Sequence, residues 1–529
     1  MKYIKILSLV FGTFLVSSCI DELNTYPEGG TITQDQKDEI GEKDPSKLDA
    51  DLQGMYSGFT AAWNTFGRSE NIHFDFSYPA IVLMLETSGM DMPSKVTGYN
   101  WFSDDVTYQD RIYTSYQTQM IWKRFYQSIM AANAVIKSVD PETEDVNSQF
   151  YLGQAKAMRA FCYFQLAQIF QFTYADNRDK LCVPIITETS EGNNHPRQTV
   201  EKVYEQIMAD LNAAVPMLQA AKEAGIKRAD KAHVDYNVAC GIRARVNLLM
   251  GSYEAAVNDA KSALADYTPY SKSAVSVPAF NDATSNSWIW GLVYTTESNA
   301  VKTGIINWPS HMCSMSKNSY TSQGVHRMIN SSLWAQIPES DVRKGWWVDE
   351  ELSSPLSDEL YVDGKTVAKA YRFTPYTNVK FGSYKNDPAS SDNAQDFPMM
   401  RAEEMYLIIA EATAMGGNPS GAAEMLQEFI NQYRDEDYVC NATTAEDVRN
   451  AVWWQRRVEL WGEGFALFDI LRFNKGVDRR GENNFEKSVR YNILPGNPNL
   501  IFRIPQSEVE SNLGIDESDN NPSAELPQA

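Results

Sequence analysis

The apolar residues between positions 154 and 170 recur every three or four residues, which is the period of an amphipathic helix. Two such series run along this segment: Ala155, Met158, Cys162, Leu166 and Ile169, and Ala157, Phe161, Phe164 and Ala167. Because apolar residues cover two sides of this helix, we predict that it packs between neighbouring helices. The same reading predicts further helices over 51–63, 119–139, 199–221, 234–250, 252–266, 401–415, 420–433 and 445–472.

Two pairs of these predicted helices share a spacing of small residues around a glycine turn. The alanines and the intervening glycine are Ala244, Gly251 and Ala256 in one pair, and Ala410, Gly416 and Ala422 in the other. The helix that follows Gly251 resembles the second helix of a tetratricopeptide repeat. Any antiparallel helix pair also prefers alanine where its helices approach closely, so both interpretations stay open.

Two long stretches, 66–118 and 267–397, show no sustained helical period and are rich in Ser, Asn, Gly, Pro and aromatic residues. Candidate short strands are 287–295, 370–381 and 500–504. Loops of this length inside a compact body are usually functional. The pattern therefore predicts a mostly α fold with long loop-rich insertions and minor β-strands.

The first 18 residues have the pattern of an export signal. Lys2 and Lys5 precede an apolar run over 6–16, which is too short to span a bilayer. The run ends in Val-Ser-Ser followed by Cys19, which resembles the lipobox of bacterial lipoproteins and implies cleavage before Cys19 and a lipid on its thiol. An ordinary signal peptide with an incidental cysteine is the alternative. The polar segment 19–47 is predicted to be a tether.

Composition narrows the classes of ligand. Acidic residues outnumber basic ones 69 to 47, giving a net charge of −22, which disfavours a nucleic-acid partner. The 12 Trp and 27 Tyr supply flat apolar faces with a polar edge, which suit sugar rings as well as protein interfaces. The remaining cysteines and the five histidines have no metal-ligand spacing, so we predict neither a metal site nor a cofactor.

Four blocks, taken in order, carry a resemblance to a known family. Block 155–166 reads AKAMRAFCYFQL, block 397–412 reads FPMMRAEEMYLIIAEA, block 456–472 reads RRVELWGEGFALFDILR and block 504–512 reads IPQSEVESN. Together they resemble the SusD/RagB family of nutrient-binding outer-membrane lipoproteins. Ala466 stands where that family usually has arginine, and Asn474 stands where glycine or lysine is common.

The resemblance implies one SusD-like body over 48–529. Tetratricopeptide-like helix pairs over 48–266 and 398–475 would form its scaffold, and the insertions 66–118 and 267–397 with the C-terminal segment 476–529 would complete it. It also implies that the protein binds a glycan, is not an enzyme, and works with a SusC-like TonB-dependent transporter. The lipid on Cys19 would hold it at the outer membrane, and the acidic pair Asp21-Glu22 resembles a signal for display on the cell exterior.

The charged residues of these blocks have a structural interpretation. We expect ion pairs between packed helices, joining Arg401 with Glu404, Arg457 with Glu463, and Asp469 with Arg472. The alternative is a glycosidase, which needs two carboxylates about 5–9.5 Å apart in a cleft. The candidate catalytic carboxylates of a glycosidase would be Glu404, Glu411, Glu463 and Asp469.

Binding a sugar requires aromatic platforms with polar groups beside them. The insertions offer Trp101, Trp308 and Tyr320 as predicted stacking residues, with Asn100 and His311 as their polar partners. A role in packing the loops is equally open for each aromatic residue, and Trp290 is expected to pack beneath its strand. Three hypotheses for the chain therefore remain: a glycan-binding transport accessory, a surface glycoside hydrolase, and a protein-binding scaffold or adhesin.

Overall fold

The computed structural model describes residues 48–68 and 72–529. The predicted signal peptide 1–18, the lipidated Cys19 and the tether 19–47 lie outside the described residues and stay predictions. Within the described part, the long helices form the scaffold: Tyr116–Lys137, Val146–Phe170, Val200–Glu223, Tyr236–Met250, Tyr253–Leu264, Ala402–Met415, Pro419–Tyr433 and Ala445–Glu459. Shorter helices are Asp49–Ser57, Tyr78–Thr87, Ser103–Thr107, Tyr174–Asn177, Lys272–Val275, Asn299–Lys302, Trp308–Met312, Ser331–Trp334, Val367–Ala370, Ala466–Arg472 and Gln506–Ser511.

The helix Val146–Phe170 is the centre of the N-terminal half. Asp145 caps its N-terminus, because the Asp145 carboxylate accepts the backbone N–H of Ser148 (2.8 Å). Every residue from 157 to 170 is buried, because the helix packs against both Tyr116–Lys137 and Val200–Glu223. The prediction of a helix with two apolar sides is confirmed.

The helix pairs approach each other through their alanines. All four marker alanines of the two predicted pairs are buried, and the helices that carry them pack against each other in both pairs: Ala244, Ala256, Ala410 and Ala422. Gly251 ends the first helix of its pair with φ of +80°, a conformation that favours glycine. The second helix of this pair also packs against Ala402–Met415, which joins the two halves of the scaffold.

The prediction of one continuous helix over 445–472 is wrong, because the structure has two helices there. The helix ends at Glu459 and a short helix resumes at Ala466, because Gly462 and Gly464 adopt φ of +82° and +92° between them. The buried carboxylate of Glu86 accepts the backbone N–H groups of Gly462 (3.2 Å) and Gly464 (2.7 Å), so a distant residue holds the turn.

Strands are few and short. Trp288–Leu292 pairs antiparallel with Phe397–Arg401, which confirms the strand predicted over 287–295. The other two strands of the prediction are wrong: 500–504 has no strand, and 370–381 contributes only isolated bridges. Two further hairpins each pair two-residue strands: Tyr361–Val362 with Lys365–Thr366, and Val477–Asp478 with Asn492–Ile493.

The helix Tyr78–Thr87 lies inside a stretch that the sequence pattern indicates as irregular. All ten of its residues are buried, so it has no polar face and no amphipathic period to reveal it. It carries Glu86 to the turn described above and leads, through Asp91, into the loop that reaches Trp101.

A buried ionic network ties the C-terminal helices to the strand that precedes them. Arg434 contacts Glu459 (2.7 Å) and Glu403 (2.9 Å), and Arg401 contacts Glu459 (3.1 Å) and Glu463 (2.8 Å). Burial raises the pKa of Glu459, but the guanidinium groups around it hold that pKa well below its usual range. These charges therefore form one structural unit rather than separate pairs.

Two of the three predicted ion pairs have different partners. Glu404 pairs with Arg245 (2.6 Å), and Arg457 pairs with Asp91 (Nε to Oδ2, 2.8 Å). Helical spacing could not indicate these partners, because Arg245 and Asp91 come from elements distant in sequence. The pair of Asp469 with Arg472 is confirmed at 2.7 Å. Among the described residues, no helix is long and apolar enough to cross a membrane.

Candidate ligand-binding site

The insertions meet at a cluster of aromatic rings. The imidazole of His73 stacks on the indole of Trp101, with ring centroids 4.3 Å apart and an interplanar angle of 24°. Nδ1 of His73 lies 2.6 Å from the hydroxyl oxygen of Tyr320. One ring of the first insertion is thereby bridged to one ring of the second, and Trp101 keeps part of its surface exposed.

A second stack lies beneath the first. His311 stacks on Tyr320 with centroids 4.2 Å apart, and Phe76 covers the imidazole at 5.3 Å. His311 is 1% exposed, so burial, with the nearby charge of Arg327 adding to it, keeps the pKa of His311 well below its ordinary value. The imidazole is therefore neutral at physiological pH and serves as a flat, uncharged support for Tyr320.

Asn100 fixes the loop that presents Trp101. Its amide nitrogen donates to the backbone oxygen of Lys95, and its Oδ1 accepts the N–H of Phe102 (3.2 Å) and Nη2 of Arg327 (3.0 Å). Asn100 is 4% exposed, and in this conformation its side chain forms hydrogen bonds with other groups of the protein. Its predicted role as a ligand to sugar hydroxyls stays a prediction.

Trp308 lies apart from this surface. It begins the short helix Trp308–Met312, is 3% exposed, and packs edge-on against Phe381 (4.7 Å) and Phe397 (5.1 Å). In this conformation it is a core residue under the strand Phe397–Arg401. The prediction that it stacks on a ligand is untested, and a ligand would reach its ring only if the covering residues moved.

Several buried polar atoms around the cluster have no hydrogen-bond partner among the described residues. They are Oγ of Ser319, Nδ1 of His326, and Nε and Nη1 of Arg327. Buried polar groups are normally paired, and unpaired ones need an explanation such as ordered water or a ligand. The cluster therefore combines flat rings with unused hydrogen-bonding capacity.

The rim of the cluster carries exposed polar and aromatic side chains. Tyr99 is 58% exposed next to the Asn100 turn, and Lys95 is also exposed. Gln323, in the short 3-10 helix Tyr320–Gln323, is also exposed.

Four of the five predicted ligand residues come together here: Asn100, Trp101, His311 and Tyr320. The residues that sequence reasoning missed are His73, Phe76 and Arg327. All three lie in the irregular stretches, where no period marks a side chain as buried or exposed. The one available signal was compositional, because His73 is one of only five histidines in the chain.

The carboxylates nominated for hydrolysis are engaged elsewhere. Glu404 pairs with Arg245, Glu411 with Arg472 (2.6 Å), and Glu463 with Lys380 (2.7 Å) and Arg401. Asp469 is the fourth nominee. Burial would raise its pKa, but Arg456 and Arg472 hold that pKa below its ordinary value. A general acid needs the opposite shift, and the cavity lined by Glu404, Glu463 and Asp469 measures only about 50 Å³.

Two family models match the chain. One, described as starch-binding and associating with the outer membrane, matches residues 80–248, and the SusD family model matches residues 348–522. The chain belongs to the SusD/RagB family. A curated SusD-like protein of Formosa agariphila is 23% identical over 439 residues, which cover 73% of this chain and 79% of that protein.

Solved structures share the fold. A SusD-like carbohydrate-binding protein from Bacteroides vulgatus superposes with a TM-score of 0.73 at 22% identity, covering 90% of this chain and 98% of its own. A SusD superfamily protein from Bacteroides thetaiotaomicron gives a TM-score of 0.70 at 20% identity, covering 90% and 99%. A laminarin-binding SusD-like protein gives 0.61 at 16% identity, again covering 90% and 99%. The mostly helical, SusD-like fold predicted from the sequence is confirmed.

Proposed function

We propose that the protein binds an oligosaccharide over Trp101 at the outer membrane and delivers it to a SusC-like TonB-dependent transporter, without cleaving it. The observation that carries this proposal is the stack of His73 on Trp101, bonded to Tyr320. It holds a partly exposed indole rigidly, as stacking of a sugar ring requires, and buried polar atoms without a partner among the described residues lie around it. The laminarin-binding neighbour and the starch-binding family description support a glycan as the ligand class.

Delivery to a transporter rests on the family and on the predicted lipid at Cys19. A lipid anchor followed by the tether 19–47 would keep the body at the membrane while allowing it to move over a transporter. Affinity purification of the full chain from its native membrane should recover a TonB-dependent transporter in stoichiometric amount. A Cys19→Ser variant should lose both the membrane fraction and this partner.

The test of binding is calorimetry of the full chain in mild detergent against fragments of starch, laminarin, xylan and mannan. We expect one glycan to bind and its reducing ends to stay constant during incubation. New reducing ends that disappear in a Glu463→Gln variant would favour the hydrolase. Binding of peptides or host protein but of no glycan would favour the scaffold or adhesin.

A further inference from the structure

A cavity lies in the insertion 267–397, away from the aromatic cluster. It measures about 480 Å³, within the range of small-ligand pockets. Trp334, Trp347, Glu339, Lys344, Asp349 and Ser354 line it. None of the residues of the Trp101 cluster contributes to its wall, so the cavity and the cluster are separate.

Two tryptophans shape this cavity in different ways. Trp334 is partly exposed, and its orientation is fixed because its N–H donates to the backbone oxygen of Lys344 (3.3 Å) and its edge meets Tyr376 (5.4 Å). Trp347 is 1% exposed and packs edge-on against Trp461 (5.5 Å). Its buried indole N–H has no acceptor among the described residues. The wall thus offers an apolar platform and an unused donor.

Acidic and hydroxyl groups complete the wall. Oδ1 of Asp349 accepts the backbone N–H groups of Glu351 and Ser353 (2.9 Å each), which fixes the carboxylate at the cavity. The one lysine of the wall, Lys344, is occupied by Glu339 and by the ring of Trp334 (4.5 Å). Acidic groups therefore outnumber available cations, which disfavours an anionic ligand and suits hydroxyl donors.

The cavity is connected to the first site through a short piece of backbone. The backbone N–H of Asn378 donates to the backbone oxygen of Arg327 (2.9 Å). The guanidinium of Arg327 in turn donates to the side chain of Asn100. Asn378 also pairs with Trp347 in an antiparallel bridge. Hydrogen bonds and a bridge through Asn378 therefore join the segment that lines the cavity to the segment that contacts Asn100.

We propose that this cavity is a second carbohydrate-binding site, specific for an uncharged sugar that stacks on Trp334 and accepts the N–H of Trp347. It goes beyond the proposed function, because it binds sugar whether or not the Trp101 cluster does. Substituting Asp349→Asn, which removes a charged acceptor for sugar hydroxyls, should weaken binding at this site roughly tenfold.

The test uses fluorine NMR of the full chain labelled with 5-fluorotryptophan. Trp334→Phe, Trp347→Phe and Trp101→Phe assign the three resonances, and buried Trp290, whose N–H donates to the oxygen of Ala232 (2.7 Å), serves as the internal control. The probes are maltohexaose, laminarihexaose, xylohexaose and mannohexaose, with hexagalacturonate as the anionic counterpart. The conservative Phe substitutions keep an aromatic ring, and thermal melts confirm that each variant is folded.

We expect at least one neutral hexaose to shift the Trp334 and Trp347 resonances saturably, also in a Trp101→Ala variant, while Trp290 stays fixed. Hexagalacturonate should bind the cavity at least tenfold more weakly. If only the Trp101 resonance responds, the second site is refuted and the proposed function stands. If only the Trp334 and Trp347 resonances respond, the second site stands and binding over Trp101 is refuted. Silence of all these resonances with every probe, or preference of the cavity for hexagalacturonate, would overturn the second site.

Discussion

His73 lies flat against Trp101, with ring centroids 4.3 Å apart, and reaches Tyr320 with its Nδ1 at 2.6 Å. The contact with Tyr320 joins the two insertions through residues that lie 247 positions apart in sequence. A binding platform made of loops needs such cross-links, because ordering a loop on ligand binding would consume part of the affinity. The contact makes His73 the positioning residue of the candidate site.

Replacing His73 tests this positioning role. His73→Ala should weaken glycan binding roughly five- to tenfold, about 1 kcal/mol, because Trp101 loses the ring that holds it. His73→Phe keeps the stacking surface and should restore most of the affinity. Equal affinity in wild type and His73→Ala, measured by calorimetry, would show that the stack does not support the ligand.

Trp308 should behave as a core residue. Trp308→Ala is expected to lower the free energy of unfolding by about 3–5 kcal/mol, because it leaves a cavity against Phe381 and Phe397. Chemical denaturation measures this loss, and Trp101→Ala should cause a much smaller one. Unchanged stability together with lost binding would instead support the role of ligand platform that its sequence context predicts.

Arg434 should stabilise the fold because it neutralises two buried carboxylates. Arg434→Ala leaves Glu459 and Glu403 buried without one of their partners, which should cost about 3–5 kcal/mol of unfolding free energy. The control is Arg480→Ala, which breaks an exposed pair with Asp478 and should leave the denaturation midpoint unchanged. Similar midpoints for the two variants would contradict the account of the network.

Glu86 should give the fold a measurable pH dependence. Burial raises the pKa of Glu86 to about 7, whereas an unfolded glutamate titrates near 4.5. The folded state therefore holds the extra proton between these values, and this contribution is fully present below pH 4.5 and is lost as pH rises through 7. Relative to Glu86→Gln, the wild type should lose on the order of 1.4 kcal/mol per pH unit in that window.

Unfolding of the two Glu86 proteins at pH 4.5, 5.5, 6.5 and 7.5 measures this slope. Glu86→Gln is the matched comparison because it keeps the size of the side chain while removing its titration. A stability difference that is constant across the four pH values would contradict the raised pKa.

The sequence predicts the scaffold well because its helices are amphipathic or carry closely packed alanines. It fails at Gly462 and Gly464, where the turn depends on Glu86, and at the helix Tyr78–Thr87, which is buried on all sides. In the insertions, side-chain type indicates that Trp101 and Tyr320 suit a sugar, but only Trp101 keeps part of its surface exposed, whereas Tyr320 is 3% exposed. It cannot indicate that Trp308 is covered, because burial there is decided by the strand Phe397–Arg401 from far along the chain.

The most direct test of the central claim is calorimetric titration of the full chain, in mild detergent, with the glycan fragments named above. Wild type and Tyr361→Ala, which removes an exposed aromatic residue outside the site, should bind one glycan equally. At the Trp101 site, Trp101→Ala should bind it roughly 10- to 100-fold more weakly, with an unchanged melting temperature. Equal binding by Trp101→Ala and wild type, or no binding of any glycan by the wild type, would contradict the account.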